Sequence, residues 1–163
     1  SPDDMVVNPM GLRFQGRTYP CTIGRTGLTS RKREGDGATP RGVHRIVGML
    51  YRPDRMAQPA DWARPILPGD LWSDDPKHED YNMMVRAPYP YSHERLRRAD
   101  PLYNLVILTD WNWPYAVPGR GSAIFIHRHR RPGYPTEGCI ALSPAHLLDI
   151  AQALKHRSRL IIP

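Results

Sequence analysis

A histidine and a cysteine in the last third of the sequence carry the pattern of nucleophilic catalysis. His127 closes the apolar run Ile124-Phe125-Ile126, and Cys139 follows Gly138 in Pro135-Thr136-Glu137-Gly138-Cys139-Ile140-Ala141-Leu142. A cysteine attacks as its thiolate, and an imidazole within hydrogen-bond reach generates one by taking the proton. Their separation admits a strand, a returning loop and an opposed nucleophile. Gly138 lets the backbone turn sharply, so that amide N–H groups near Cys139 can point at the oxygen of a tetrahedral intermediate. His129 competes for the role of base, because strand alternation sends it to the same side as His127. His127 is favoured, since it directly follows the apolar run and is better fixed for proton transfer. On residue types alone, the same set also describes a cysteine packed beside a histidine in a core.

The neighbouring residues allow further chemistry. Arg128, Arg130 and Arg131 form either a solvated basic turn or a set of guanidinium groups for carboxylates. Trp111, Trp113 and Tyr115 are expected to pack against the core, with saccharide stacking as the alternative. The seven histidines include a pair in His127-Arg128-His129, but no second cysteine or His-x3-His element completes a zinc site, so no metal is expected. The loop from Arg31 to Pro40 is charged and glycine-rich, yet it lacks a Gly-Lys-Ser/Thr ending and a following helix, which argues against nucleotide binding. It reads as a solvated connection. Cys21 lies in the alternating stretch Thr18-Tyr19-Pro20-Cys21-Thr22-Ile23, where a small buried thiol is expected.

The elements that must position these residues are mostly strands. The chain has 163 residues, suited to one domain, and its 18 prolines favour short strands and ordered loops over long helices. Strands are predicted over 5–7, 12–14, 17–23, 42–50, 102–108, 123–126 and 160–162. Residues 51–100 form a loop-rich insertion, with a short helix predicted from Ser92 to Asp100 on the strength of a Ser92 cap and the Glu94/Arg98 spacing. Ser143-Pro144 reads as a cap and first-turn proline, after which Leu147, Leu148, Ala151 and Leu154 share one helical face. The fold class is therefore mainly β, a curved sheet or sandwich with one or two helices. A net charge of +7 and a pI near 9.8 imply attraction to anionic polymers, but no nucleic-acid recognition motif accompanies the charge. No stretch reaches the roughly 18 apolar residues a membrane span needs. Position 1 is not Met, which fits removal of a leader, so the compartment follows from function.

Residues 127 to 142 resemble the signature of the YkuD-type L,D-transpeptidases, in which a strand-terminal His is followed by Ser or Thr, one residue, then Gly-Cys. Gly37-Ala38-Thr39-Pro40-Arg41-Gly42 is similar to a second element of that family, a Thr-Pro-x-Gly segment opening a strand. The resemblance implies a YkuD-like curved sheet and a periplasmic or cell-envelope enzyme that needs no cofactor. Its partners would be donor and acceptor stem peptides of peptidoglycan. It also implies Cys139 as nucleophile, His127 as base, the Arg128 carbonyl as the group orienting the imidazole, and amides of Glu137, Gly138 and Cys139 as oxyanion donors. Thr136 would shape the loop, and Arg130 would contact the stem. Glu137 stands where many members have His, Arg128 where many have Gly or Ser, and Ala141 where many have Arg or Asn. A shorter proteobacterial branch shares Lys-Arg-Glu-Gly-Asp-Gly-Ala-Thr-Pro, Tyr-Asn and Gly-Arg-Gly-Ser-Ala-Ile-Phe elements. From that branch come Tyr81, Asn82, His93 and Glu94 as expected substrate-binding residues, and an expected cross-link between L-Ala at stem position 1 and diaminopimelate at position 3. Hydrolysis of the same thioester by water, or binding of peptidoglycan without catalysis, are the alternatives.

Overall fold

Alternating burial sets the first strands, Met5–Asn8, Gly11–Phe14 and Arg17–Tyr19, which fold back on one another as an antiparallel meander. In the computed structural model, which describes residues 1–163, this meander forms one flank of a nine-stranded sheet. From the opposite flank the order is Ile140–Leu142, Phe125–Arg128, Leu105–Thr109, Gly42–Tyr51 and Arg159–Ile162, followed by the meander, with Arg64–Pro65 pairing beside Gly42–Tyr51. The sheet curls until its flanks meet. Thr22, just past the meander, exchanges two 2.9 Å backbone hydrogen bonds with Ala141. Closure of this kind satisfies edge groups that would otherwise face solvent.

The fold is thus mainly β with a curved, nearly closed sheet, as expected. It has one helix, Pro144–Ala153, whose N-cap Ser143 accepts from the His146 N–H at 3.2 Å and whose first position is Pro144. Leu147, Ile150 and Ala151 bury the apolar stripe of this helix in the larger core with Met5, Leu12, Phe14, Ile126, Ile140 and Leu142. No helix is long and apolar enough to cross a membrane.

A second core lies on the other side of the sheet, where Leu50, Val106 and Phe125 meet Ile66, Trp72 and Leu96 of the insertion. The alternation of Phe125–Arg128 therefore matters for function. Ile126 belongs to the larger core and Phe125 to the second, and His127, two residues on, emerges on the side of Phe125. The insertion is pinned at its ends by arginines. Buried Arg52 donates to Asp54 and to the Arg98 carbonyl, and Arg55 donates to the carbonyls of Ala99 and Asp100.

The helix predicted from Ser92 to Asp100 does not form. His93–Arg95 is instead an edge strand of a three-stranded sheet with Asp70–Ser73 and Met84–Arg86. The Ser92 hydroxyl donates to Asp74 at 2.6 Å rather than capping a helix. Glu94 turns towards the Tyr103 hydroxyl, and Arg98 pairs with Asp100 at 2.7 Å. Tertiary pairing with the Asp70–Ser73 strand overrides a local pattern that was compatible with a helix.

Candidate active site

Parallel pairing of Phe125–Arg128 with Ile140–Leu142 sets the candidate residues side by side. His127 lies opposite Ala141, and Cys139 immediately precedes the second strand. Both line one cleft of about 410 Å³. The His127 ring is buried, and its Nδ1 lies 2.7 Å from the Arg128 carbonyl oxygen. A carbonyl can only accept, so Nδ1 carries the hydrogen and Nε2 is the bare nitrogen of the neutral ring. Tyr103 packs edge-on against the imidazole at 5.6 Å between centroids. Burial, with smaller contributions from the Arg130 and Arg98 charges, lowers the His127 pKa to about 4.

The Cys139 thiol donates to the Ala123 carbonyl at 3.1 Å and accepts from the Phe125 N–H at 3.4 Å. Burial pushes its pKa up to about 12, reinforced by the Glu94 carboxylate and opposed by the Phe125 N–H and the Lys32 charge. The resting pair is therefore a neutral thiol and a neutral imidazole.

The chain matches the YkuD family, described as an L,D-transpeptidase catalytic domain, over residues 13–162. It belongs to that family. No curated protein matches the chain. YkuD members act on peptidoglycan stem peptides and belong to the cell envelope.

The two sequence elements shared with the YkuD family meet in space at Gly138. Its φ is +141°, and a Cβ there would lie 2.7 Å from the Ala38 carbonyl oxygen and 3.4 Å from the Lys32 Nζ, so only glycine fits. The Gly138 carbonyl accepts from the Thr39 hydroxyl at 2.8 Å. Its N–H donates to the Thr136 hydroxyl at 3.0 Å, and that hydroxyl in turn donates to the Cys139 carbonyl at 2.6 Å. Thr136 thereby closes a tight turn around the cysteine. The Gly138 N–H is engaged internally, whereas those of Glu137 and Cys139 donate to no protein acceptor. These two amides are the candidate oxyanion donors.

The remaining candidates divide between the cleft and its surroundings. His129, Arg130, Thr136, Glu137 and Glu94 line the cleft. Nδ1 of His129 is buried without a partner. The Glu137 side chain is exposed and pairs with Arg25 at 3.1 Å. Glu94 accepts from the Tyr103 hydroxyl at 3.2 Å, and burial raises its pKa. Tyr81 and Asn82 are buried behind the cleft wall. The Tyr81 hydroxyl donates to Glu34 at 2.8 Å and accepts from the Gly121 N–H. The Asn82 side-chain oxygen accepts from the Ala123 N–H at 2.9 Å, and so holds the residue whose carbonyl meets the Cys139 thiol. His93 is exposed, with its ring on the Tyr91 carbonyl.

Two acidic residues and one lysine of the cleft were absent from the sequence expectation. Glu34, Asp74, Glu94 and Lys32 all line it, and of these only Glu94 stood among the candidates. The other thiol, Cys21, is free and packs against the larger core, with its pKa raised to about 11 by burial. Trp111 donates to the Arg120 carbonyl and packs edge-on against His44, Trp113 packs against the second core, and Tyr115 is exposed. No group of three or more His, Cys, Asp or Glu side chains is arranged to hold a metal.

Proposed function

We propose that the chain cross-links peptidoglycan stem peptides through a thioester on Cys139, with His127 as the general base. The observation that supports this most directly is the shared cleft of the two residues, with His127 Nδ1 held by the Arg128 carbonyl and Nε2 left to take a proton. In the first half-reaction, the carbonyl carbon of an L-residue, linked to a following D-residue, is attacked by the Cys139 sulfur as its proton moves to His127 Nε2. Charge develops on the carbonyl oxygen, where the Glu137 and Cys139 amides are candidate donors. The imidazolium then returns the proton to the departing amine, the C–N bond breaks and a thioester remains.

In the second half-reaction an amine of a neighbouring stem attacks the thioester. His127 takes the amine proton and the thiolate leaves, regaining its proton from the imidazolium. From the sequence elements shared with the shorter proteobacterial branch, we assign the product as a link from L-Ala at position 1 to diaminopimelate at position 3. The site of action would be the periplasm or cell envelope.

Purified protein incubated with muropeptides and analysed by mass spectrometry tests the reading. Cross-linked dimers are expected from the parent protein and none from Cys139→Ala or His127→Ala. Trimmed stems without dimers would instead indicate water as the acceptor. Unmodified stems, with Cys139 inert to a carbapenem, would indicate a binding module and overturn the proposal.

A further inference from the structure

Lys32 is a buried cation in this cleft. Its residue is only 7% exposed, and its amine pairs with Asp36 at 2.5 Å. Asp36 is itself fixed, accepting from the Ala38 N–H and the Arg33 N–H at 2.9 Å each. An ammonium has three donors, and this pair uses one of them. The lysine is boxed in by two glycines. A Cβ on Gly121 would lie 2.9 Å from its Cε, and one on Gly138 would lie 3.4 Å from its Nζ. The charge is therefore held against the residue that precedes the nucleophile, with two N–H donors unspent.

Placing an amine there costs desolvation that the exposed segment around it would not otherwise incur, since Arg31, Arg33 and Glu34 on either side are exposed. A surface lysine would have served a merely structural loop. The cleft, meanwhile, has an electrostatic deficit. Glu34, Asp74, Glu94 and Glu137 bring four carboxylates to its lining, of which Glu137 pairs with Arg25, against the cations Arg130 and Lys32, and the neutral imidazole brings no charge. The titratable groups around the sulfur are His127, Tyr103, Glu94 and Lys32, with Glu34, Asp74, His129, Arg130, Tyr134 and Glu137 further along the lining.

We propose that the Lys32 ammonium, positioned by Asp36, stabilises the negative charge that develops on the Cys139 sulfur as it loses its proton to His127. Lysine neither gains nor loses a proton in the step. It acts through space on the nucleophile, and its role in cross-linking rests on the function proposed above. The electrostatic effect on the thiol does not.

The test reads the thiol directly. In a Cys21→Ser background, the rate of Cys139 alkylation by neutral iodoacetamide is measured against pH for the parent, Lys32→Met and Lys32→Arg. Loss of the charge is expected to move the profile upward by about one pH unit, or to slow alkylation about tenfold at a fixed pH, while Lys32→Arg stays within about threefold of the parent. In the muropeptide assay Lys32→Met is expected to lower kcat with little change in KM. If Lys32→Met does not fold, Lys32→Met combined with Asp36→Asn removes both charges and is measured in its place. A folded variant lacking the lysine charge whose alkylation profile superimposes on that of the parent overturns the proposal. A shifted profile in a protein whose parent makes no dimers would instead overturn the cross-linking function and leave the electrostatic role of Lys32 standing.

Discussion

The Thr39 hydroxyl donates to the carbonyl oxygen of Gly138 at 2.8 Å, joining two sequence elements almost a hundred positions apart. The same hydroxyl accepts from the Gly24 N–H at 2.8 Å, so one fully buried side chain ties the glycine-rich loop, the end of the meander and the cysteine turn together. Thr39→Val keeps the volume and removes both hydrogen bonds, leaving a buried N–H and a buried carbonyl unpaired. A loss of about 2–4 kcal/mol in urea unfolding is expected. Because the carbonyl belongs to the residue before Cys139, the proposed nucleophile, cross-linking is expected to fall even at temperatures where the variant remains folded. Parent-like turnover by a folded Thr39→Val would mean that the clamp serves stability alone.

Gly138 admits a sharper test. Alanine there combines a left-handed φ with a contact of 2.7 Å to a backbone oxygen that cannot swing away. The expected cost is about 2–4 kcal/mol. Relief by movement of the turn would carry the Cys139 amide with it. Gly138→Ala is therefore expected to lose turnover while Cys139 remains open to alkylation, a combination that mass spectrometry of the alkylated protein and the muropeptide assay together detect.

The pH dependence follows from His127. Its folded pKa, about 4, lies below the ordinary histidine value of 6.5 because burial disfavours the imidazolium. As pH falls from 6.5 to 4, the unfolded chain takes up a proton at this position that the folded chain does not. The stability present above pH 6.5 is therefore lost progressively over that window, by up to about 3 kcal/mol. Below pH 4 both states are protonated and the loss is complete. His127→Phe is expected to flatten this part of the stability curve, as read by urea midpoints at pH 4, 5, 6 and 7. With His127 in its proposed role as base, the neutral ring persists in the free protein down to the same low pKa, so the acid limb of kcat/KM is expected near pH 4 rather than 6.5.

Much of this arrangement is legible in the sequence, and the exceptions share a physical cause. Strands such as Gly42–Tyr51 and Arg159–Ile162 declare themselves by local composition, as does the helix after Ser143-Pro144. The placing of His127 and Cys139 in one cleft is legible because a strand-ending histidine and a Gly-Cys turn are local features. The strand at 93–95 is hidden because its partner, Leu71 to Ser73, lies twenty or more residues away. Lys32 is hidden for a similar reason. Its neighbours are charged and exposed, and its burial depends on the distant glycines 121 and 138. A lysine four residues before an aspartate in a loop was the one local sign, and it also fits a solvated pair. Tyr81 and Asn82 were expected, from the branch resemblance, to bind substrate, whereas they are buried outside the cleft lining, because the backbone groups they hold belong to segments about thirty to forty positions downstream.

Asn82 offers the clearest test of that supporting layer. Its φ is +59°, a conformation asparagine tolerates, and all of its side-chain capacity is spent on Trp72, Ala123, Trp111 and Asn112. Ala123, at φ +54°, is strained, and its N–H is held by Asn82 while its carbonyl receives the Cys139 thiol. Asn82→Gly removes the side chain without backbone strain, and Asn82→Ala removes it with strain added. Each leaves the indole and the Ala123 N–H without their acceptor, so both are expected to lose about 2–4 kcal/mol, with alanine the worse. If the hydrogen bonds matter because they place the thiol, both variants fall about tenfold or more in kcat at unchanged KM when assayed well below their melting temperatures. If only the backbone shape matters, Asn82→Gly retains parent turnover and Asn82→Ala alone is impaired, which would remove Asn82 from the chain of contacts that positions Cys139.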